Sequence, residues 1–314
     1  MWSTGGTMPN EGEQEEIRRG MELAAHLPDI MPDQASQQVG KVYDEVQETL
    51  RVPIVNLIFR VLANYPDYLE QTWERLRPAL RTRSFERAAD EIRAGALLEP
   101  VPGASRVHWE ETGDLDRIRA FNDTIHYVLP KLLLIATALD ELGFGPTPGG
   151  SHAETAADPS EIPTGVAEGT TKVKMVEPEK ADERVRTLFE SVKNRHGHPL
   201  VSSYYRGLGN WPDFLDAAWT RVGPLVGSAA YEARKDALIT AARTAVRELP
   251  ISAEGMEGPD EAQRAEIRDL LAAFRLKFIP EMLLDVMLIK ALVDGPEQAR
   301  VSPFSVAQES AGAG

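Results

Sequence analysis

The chain contains no cysteine among its 314 residues. This absence excludes disulfide bonds, thiolate metal sites, iron–sulfur clusters and thiol nucleophiles, because each of them needs a sulfhydryl group. The chemistry that is left belongs to oxygen, nitrogen and carboxylate groups. The six histidines are scattered except in His196-Gly197-His198, a pair with no acidic residue close by along the chain. We therefore predict no metal site and no cofactor.

Positive charge is also scarce. The chain has 49 Asp and Glu residues against 34 Lys and Arg, which gives a formal net charge of −15. No Lys/Arg cluster interrupts this surplus, so a polyanion would be repelled over most of the surface and we expect no nucleic-acid partner. A small anionic ligand would meet the same field, so a site for one must supply its own local positive charge.

Long hydrophobic runs are missing as well. The longest apolar run, residues 132–139, is far shorter than the ~20 residues that a membrane-spanning helix needs. The first twenty residues are polar and acidic and lack the apolar stretch of a signal peptide. We therefore expect an acidic cytoplasmic protein that does not associate with membranes.

An internal repeat organises the sequence. Shifting it by 146 positions superposes residues 32–94 on 178–240 without a gap and gives 17 identities in 63 positions. At a shift of 150 the match resumes and places Pro130 on Pro280, as a length change in an intervening loop would produce. The identical pairs include Pro53/Pro199, Arg60/Arg206, Asn64/Asn210, Asp67/Asp213, Trp73/Trp219 and Glu86/Glu232.

The apolar spacing within each copy is helical. Positions 39, 42, 43 and 46 follow the i, i+3, i+4, i+7 rule, as do positions 185, 188, 189 and 192. Further helices are predicted around 55–63 and 201–209, after the Pro66 and Pro212 turns, around 86–98 and 232–248, and over 115–142 and 261–293, where a proline should start or kink the helix. We predict an all-α fold with ten or more helices in two pseudo-symmetric repeats, a pseudo-dimer within one chain.

A Pro/Gly-rich stretch without helical or strand period separates the two copies and is the predicted linker. The predicted organisation is a polar N-terminal segment (1–30), a first helical repeat (31–146), the linker (147–177), a second helical repeat (178–305) and a flexible tail (306–314).

Features present in both copies are predicted to be structural. Arg60 with Glu86, and Arg206 with Glu232, are candidate buried ion pairs within each repeat. Asp67 and Asp213 follow a proline at predicted helix N-termini, where a carboxylate stabilises the helix by roughly 0.3–1 kcal/mol.

Positions that differ between the copies point to a ligand site, because pockets form preferentially where two such units meet. The segment from Asn56 and Leu57 to Phe59 offers an amide and apolar side chains, whereas its counterpart from Ser202 and Ser203 to Tyr205 offers four hydroxyl groups. A small polar ligand between them would meet hydrogen-bonding groups on one side and an apolar wall on the other. A solvated helix face explains the hydroxyl groups equally well.

Five blocks of sequence resemble the group I 2-haloacid dehalogenases. They are TLRVPIVNLIFRVLANYPDYL (49–69), RTRSFERAADEIR (81–93), YVLPKLLLIATALDE (127–141), LPISA (249–253) and SPF (302–304). The resemblance implies an all-helical protein with two pseudo-symmetric halves, possible homodimerisation, and hydrolysis of D- and L-2-haloalkanoic acids. The fold is also similar to the alkylhydroperoxidase-like helical family, whose redox chemistry needs a cysteine pair that this chain lacks.

The resemblance implies that an aspartate activates a water, which attacks the α-carbon opposite the halogen and inverts its configuration. In this chain that place falls on Tyr204, and no carboxylate occurs between Glu190 and Asp213. A phenol of ordinary pKa is a poor base at neutral pH. The family's essential Thr-x-x-x-Glu pair matches Thr82 and Glu86, although Ser228 and Glu232 stand at the same places in the second copy.

These observations predict a hydrolase that converts small 2-haloacids to 2-hydroxy acids, with Tyr204, Thr82 and Glu86 as candidate catalytic residues. The candidate substrate-binding residues are Asn56, Leu57, Ser202, Ser203, Arg206 and Asn210. A non-catalytic protein on the same fold, which binds small carboxylic acids or serves as a scaffold, is the alternative hypothesis. A third is a different hydrolysis that uses Tyr204 or a carboxylate from elsewhere in the chain.

Overall fold

The computed structural model describes residues 10–101, 103, 107–145, 160–251 and 258–306, and these residues form helices and loops without a β-strand. The all-α prediction is therefore confirmed. Three predicted segments lie partly outside the described residues. They are the N-terminal segment before residue 10, the linker from 147 to 159 and the tail after residue 306. The α-helices are α1 Glu11–His26, α2 Gln37–Leu50, α3 Leu57–Leu62, α4 Pro66–Leu80, α5 Arg83–Ala96, α6 Leu115–Phe144, α7 Glu183–His196, α8 Ser203–Leu208, α9 Pro212–Val222, α10 Ala229–Glu248, α11 Glu261–Ala273, α12 Ile279–Asp294 and α13 Pro296–Arg300.

The predicted amphipathic helices begin and end where their local sequence dictates. In α2 the Ser36 side chain accepts a hydrogen bond from the Val39 amide, and in α7 Asp182 caps Val185 in the same way. The periodic apolar positions of both helices point into the core. α4 and α9 each start at a proline followed by an acidic residue, as predicted.

Two long apolar helices, α6 and α12, pack against each other at the centre of the molecule. Pro130 lies within an unbroken α6, whereas Pro280 begins α12 after a π-helical turn, Phe274–Phe278. The predicted closing segment 261–293 is therefore two helices joined by a π turn. Both central helices are buried on almost every face, so a charged group on either of them needs a partner.

The N-terminal segment, predicted only as polar, contains helix α1. Its first turn forms a capping box in which the Asn10 side chain accepts from the Glu13 amide and the Glu13 carboxylate accepts from the Asn10 amide. The helix packs on α11, and the Arg19 guanidinium donates two hydrogen bonds to the Asp269 carboxylate, at 2.6 and 2.9 Å.

The predicted Arg60–Glu86 and Arg206–Glu232 ion pairs are wrong. Arg60 pairs instead with Asp29 (Nε–Oδ1 2.6 Å), and Arg206 pairs with Glu177 (Nη2–Oε1 2.7 Å). Asp29 lies in the segment before α2, and Glu177 lies in the segment before α7. The duplicated arginines therefore fasten an incoming segment to the helices and do not tie two helices together.

The duplicated glutamates also have other partners. Glu86 pairs with Lys131 in the middle of α6 and accepts a hydrogen bond from the Tyr127 hydroxyl. Glu232 pairs with Lys235 one turn along the same helix, at 2.5 Å. Glu86 therefore pairs across to a neighbouring helix, whereas Glu232 pairs within its own helix.

The described part of the linker is bound to the first half of the chain. The Ile162 amide donates to the Arg81 carbonyl (2.8 Å), and the Gly165 and Ala167 amides donate to carbonyls at the end of α2. Ile162 and Ala167 are buried. Among the described helices, none combines the length and apolar character that a bilayer span requires.

Candidate active site

A cavity of about 140 Å³ lies between the segments that carry α3 and α8, with α6, α12 and the π turn around it. Its walls are mostly apolar, and the polar groups are few. The described residues that line it are Ile54, Val55, Asn56, Leu57, Ile58, Arg60, Phe121, Ile125, Leu129, Leu132, Val173, Met175, His198, Leu200, Ser202, Ser203, Tyr204, Phe274, Phe278, Ile279 and Met282.

Four of the predicted substrate-binding residues line this cavity: Asn56, Leu57, Ser202 and Ser203. The Asn56 Oδ1 atom is buried without a hydrogen-bond partner, so its amide has unused hydrogen-bonding capacity at the cavity wall. The Ser203 hydroxyl lies 3.3 Å from Nη2 of Arg60, from which it accepts a hydrogen bond. The cavity thus has a hydrogen-bonding corner beside a buried guanidinium.

Arg60 brings a buried guanidinium to the cavity wall, where it is paired with Asp29. Its side chain is buried, its Nε donates to Asp29, and its Nη1 donates to the Val55 carbonyl at 2.8 Å. These bonds hold the guanidinium in place at the cavity wall. The sequence did not indicate that Arg60 lies at the cavity, because its duplication in the repeat favoured a structural ion pair.

Tyr204 also lines the cavity, but its hydroxyl is already engaged. It donates to Oδ1 of Asn122 at 2.6 Å, and its ring stacks on Phe121 at 5.8 Å. Helices α6 and α8 approach closely because Gly207 has no side chain. A Cβ on Gly207 would lie 2.3 Å from Cζ of Phe121. Burial, followed by the charges of Asp285 and Asp123, raises the pKa of Tyr204 well above its ordinary value. A phenol in this state is a hydrogen-bond donor and not a base at neutral pH.

Arg206 and Asn210 are outside the cavity lining. The Arg206 guanidinium donates to the Val176 carbonyl (3.2 Å), and the Asn210 amide donates to the Lys174 carbonyl (2.8 Å). These bonds hold the segment that brings Val173 and Met175 to the cavity. Both residues shape one wall of the site without touching a ligand in it.

Thr82 and Glu86 are also remote from the cavity lining. Thr82 is the N-cap of α5: its Oγ1 accepts from the Phe85 amide at 3.3 Å and donates to the Ala79 carbonyl at 2.7 Å. Glu86 neutralises the buried Lys131. These contacts make both residues supports of the helical core, and their counterparts in the second copy, Ser228 and Glu232, also begin a helix.

No aspartate or glutamate occurs among the described residues that line the cavity. Its titratable groups are Arg60, Tyr204 and His198. His198 follows Gly197, which ends α7 in a left-handed conformation (φ +66°) that favours glycine. This turn places the imidazole rings of His196 and His198 nearly parallel, with centroids 4.8 Å apart.

Both imidazoles reach one carboxylate of the central helix α12. Nε2 of His198 lies 3.0 Å and Nδ1 of His196 lies 3.2 Å from Oε2 of Glu281. The other oxygen of Glu281 lies 2.7 Å from the Lys277 ammonium and 3.2 Å from the Lys235 ammonium. Glu281 is almost fully buried, so these four partners satisfy a charge that would otherwise be very unfavourable.

The four partners determine the protonation states. Burial opposes ionisation of Glu281, but the hydrogen bonds from His196 and His198 and the charge of Lys277 hold its pKa well below the usual range. Burial lowers the pKa of His198, with Glu281 opposing this in part. At neutral pH the pair is therefore an ionised carboxylate and a neutral imidazole.

His196 is in the opposite state. Burial disfavours its cation, but the charge of Asp285 and the contacts with Asp285 and Glu281 raise its pKa to about 9. Nε2 of His196 lies 2.9 Å from Oδ2 of Asp285, off the line of a hydrogen bond, so this contact is an ion pair. The Asp285 oxygens accept from the hydroxyls of Tyr205 (2.8 Å) and Tyr231 (2.9 Å).

His196, His198 and Glu281 offer three ligand atoms within 4.8 Å of one another, which is also the spacing of a metal site. Two lysines and a protonated His196 surround the same carboxylate, however, and their positive charge opposes a dication there. Sequence analysis set the histidine pair aside because its acidic partner lies more than 80 residues away along the chain.

The all-helical fold and the cavity, with an arginine, two serines and an imidazole at its wall, are those of a helical protein that binds a small polar molecule. Comparison with known proteins identifies the family. The model of the halocarboxylic acid dehydrogenase DehI family matches residues 53–203. A configuration-inverting 2-haloacid dehalogenase of Alcaligenes xylosoxydans xylosoxydans is 31% identical over 300 residues, covering 90% of this chain and 99% of the relative. The chain therefore belongs to the DehI family of 2-haloacid dehalogenases.

Other relatives agree. The (R)-2-haloacid dehalogenase of Pseudomonas putida is 27% identical over 256 residues, covering 77% of this chain and 84% of the relative. The solved structure of a D-2-haloacid dehalogenase in complex with L-LA has a TM-score of 0.71 and 26% identity, and the similarity covers 85% of this chain and 96% of that one. A mutant of a D-2-haloacid dehalogenase with D-2-CPA matches equally well.

Proposed function

We propose that this chain is a 2-haloacid dehalogenase that hydrolyses small D- and L-2-haloalkanoic acids to 2-hydroxy acids with inversion of configuration. Water attacks the α-carbon, the carbon–halogen bond breaks, and the halide leaves with the bonding electron pair. The products are the 2-hydroxy acid, halide and one proton. Because its relatives are named as dehalogenases, the enzymatic hypothesis is favoured over a non-catalytic binding protein.

The observation that carries the proposal is the match between the cavity and such a substrate. A cavity of about 140 Å³ is close to the ~150 Å³ that accommodates a benzene molecule, which has as many non-hydrogen atoms as 2-chloropropionate. The apolar walls suit a halogen and a short alkyl group. The polar corner suits a carboxylate.

The carboxylate is proposed to lie against Ser203, Ser202 and Asn56, within the field of Arg60. Hydroxyl and amide groups supply hydrogen bonds, and the buried guanidinium offsets the cost of bringing an anion out of water. Leu57 forms part of the apolar wall. Thr82, Glu86, Arg206 and Asn210 support this site from outside the cavity.

We further propose that the two halves are structural repeats, as the sequence predicts. The bounds of α7 (Glu183–His196) and α8 (Ser203–Leu208) lie 146 positions after those of α2 and α3, which supports this. The repeat boundaries 31–146 and 178–305, with the intervening linker, belong to the same proposal. The substrate then binds where the two halves meet.

Two expectations of lesser weight remain proposals. The family resemblance favours a homodimer, which light scattering on the purified chain would test. Residence in the cytoplasm is expected from the sequence and would be tested by cell fractionation.

Halide release is the decisive measurement for the proposed function. Purified protein should release halide from D- and L-2-chloropropionate and form lactate of the opposite configuration, detected by chiral chromatography. Ser203→Ala and Asn56→Leu should raise KM more than they lower kcat, because they remove hydrogen bonds to the carboxylate. Thr240→Ala, an exposed change outside the cavity lining, is the matched control. Absence of halide release from both enantiomers by the wild-type chain would overturn the proposal.

A further inference from the structure

We propose that His198, held by Glu281, is the general base that activates the attacking water in this chain. The inference rests on the proposed function and names the residue that performs its central step. The place where the family resemblance predicts an aspartate is taken by Tyr204, and an imidazole from another part of the cavity wall assumes the role.

The composition of the cavity supports His198 by elimination. Among the described lining residues the only titratable side chains are Arg60, Tyr204 and His198. Arg60 stays protonated in proteins and is bonded to Asp29. The Tyr204 hydroxyl donates to Asn122 and has a pKa far from neutrality. His198 is the one group in this set that is neutral at neutral pH and has a nitrogen lone pair to take a proton from water.

The contact with Glu281 determines which nitrogen of His198 is basic. An ionised carboxylate only accepts hydrogen bonds, so the proton of neutral His198 lies on Nε2, 3.0 Å from Oε2 of Glu281. The lone pair is then on Nδ1. The ring is further held by Phe278, which meets it edge to face with centroids 5.0 Å apart. A base with one nitrogen fixed to a carboxylate and the other unprotonated has the arrangement that general-base catalysis requires.

The surrounding charges keep this arrangement in place. The groups that face the His198–Glu281 pair are His196 of α7, Lys235 of α10, and Lys277 of the π turn. Their positive charge keeps Glu281 ionised while His198 gains and loses a proton. Glu281 touches neither substrate nor water in this scheme, so it is a positioning residue.

The reaction balances with water as the only co-reactant. The water oxygen forms a bond to the α-carbon as the carbon–halogen bond breaks and the halide departs with the electron pair. One water proton moves to Nδ1 of His198 and the imidazolium, stabilised by Glu281, later releases it to solvent. No covalent bond forms between the chain and the substrate.

The test compares halide release by the wild type, His198→Gln, His198→Ala, Glu281→Gln and the control His108→Gln, which changes an exposed histidine. Loss of a general base lowers kcat by about 10²–10⁴-fold. The kcat of His198→Gln should therefore fall by that factor, with little change in KM. The control His108→Gln should keep the wild-type kcat. Added imidazole should restore part of the activity of His198→Ala. Glu281→Gln should move the lower limb of the kcat pH profile to more acidic pH, a readout that a purely structural role does not produce.

The outcomes separate the two proposals. A wild type that releases halide beside an equally active His198→Gln overturns the base assignment and leaves the proposed function intact. A wild type that releases no halide overturns both. A stable mass increase of the chain, by the substrate minus its halogen and lost in His198→Gln, would identify His198 as a nucleophile and contradict the base role. Folding of each variant is checked by circular dichroism. If His198→Gln is unstable, the rescue of His198→Ala by added imidazole tests the base role in its place.

Discussion

Several buried positions in and next to α7, α10 and α12 differ in chemistry from the positions that match them by sequence offset in and next to α2, α5 and α6. Under the offsets of 146 and 150 residues, six buried side chains of the first half correspond to six titratable ones in the second. The pairs are Leu50/His196, Val52/His198, Phe59/Tyr205, Phe85/Tyr231, Ala89/Lys235 and Ile135/Asp285.

This difference separates scaffold from chemistry. At the matching sequence positions of the first copy the side chains are apolar and buried, so we infer that packing alone does not call for the titratable groups of the second copy. Burying two histidines, two tyrosines, a lysine and two carboxylates is unfavourable unless they are mutually paired, and the second half pairs all of them. Such a network beside a cavity is the expected environment of a catalytic group.

The first half has its own buried ion pair, which makes the comparison sharper. Lys131 of α6 corresponds to Glu281 of α12, and it pairs with Glu86. At these matched sequence positions the two central helices therefore carry opposite charges. In the first half the pair joins two helices, whereas in the second the carboxylate also reaches the cavity through His198.

The largest expected effect comes from removing either central charge. Glu281→Leu and Lys131→Leu each leave buried charges without a partner and should lower the free energy of unfolding by about 3–5 kcal/mol, measured by urea denaturation. The kinetic result should differ, because only Glu281 holds His198. Folded Lys131→Leu should keep its kcat for halide release, and folded Glu281→Leu should lose it. Equal loss of kcat in both variants would mean that the halves do not divide the roles in this way.

A smaller effect concerns His196 and pH. Its pKa in the folded chain is about 9 against an ordinary value of 6.5, so the folded state binds the proton more tightly. The stabilisation is complete below pH 6.5 and is lost as the pH rises through about 9, by at most about 3 kcal/mol. His196→Leu, which restores the first-half residue, should remove this decline in unfolding free energy between those pH values. A wild-type stability that does not fall over that range would contradict the ion pair with Asp285.

The smallest effect is expected at Tyr204, whose counterpart is the apolar Ile58. Tyr204→Phe leaves Oδ1 of Asn122 without its donor and should cost about 1–3 kcal/mol of stability. The loss in kcat should be far less than the roughly 10²–10⁴-fold that removal of a general base causes. A loss of that size in halide release would return the base role to the phenol.

The sequence predicted most of the helices, although it did not indicate α1 or the π turn before α12. Period and capping residues are local, so α2, α7 and the proline starts of α4 and α9 follow from spacing alone. The contrast between Asn56-Leu57 and Ser202-Ser203 also identified two walls of the cavity. The helix predictions succeeded because period and capping depend on neighbouring positions, whereas the two cavity segments were found by comparing the two copies. That these segments bind a substrate stays a prediction.

Predictions that depend on which helices pack together were less successful. Arg60 of α3 and Glu86 of α5 were predicted to pair with each other, but their partners come from the segment before α2 and from α6. His196 and His198 appeared to lack an acid because Glu281 is distant along the chain. The repeat did contain a signal for the histidine cluster. His196 and His198 stand where the first copy has Leu50 and Val52, and a titratable side chain at a position that is apolar in the other copy indicates a buried polar network.

A structure of the chain with a bound 2-hydroxy acid such as lactate tests the central claim most directly, because the hydroxyl oxygen of the product is the oxygen of the attacking water. We expect lactate in the cavity with its carboxylate beside Ser203 and Asn56 and its hydroxyl within about 2.6–3.2 Å of Nδ1 of His198. A lactate whose hydroxyl faces Tyr204, or which binds outside the cavity, would contradict the account.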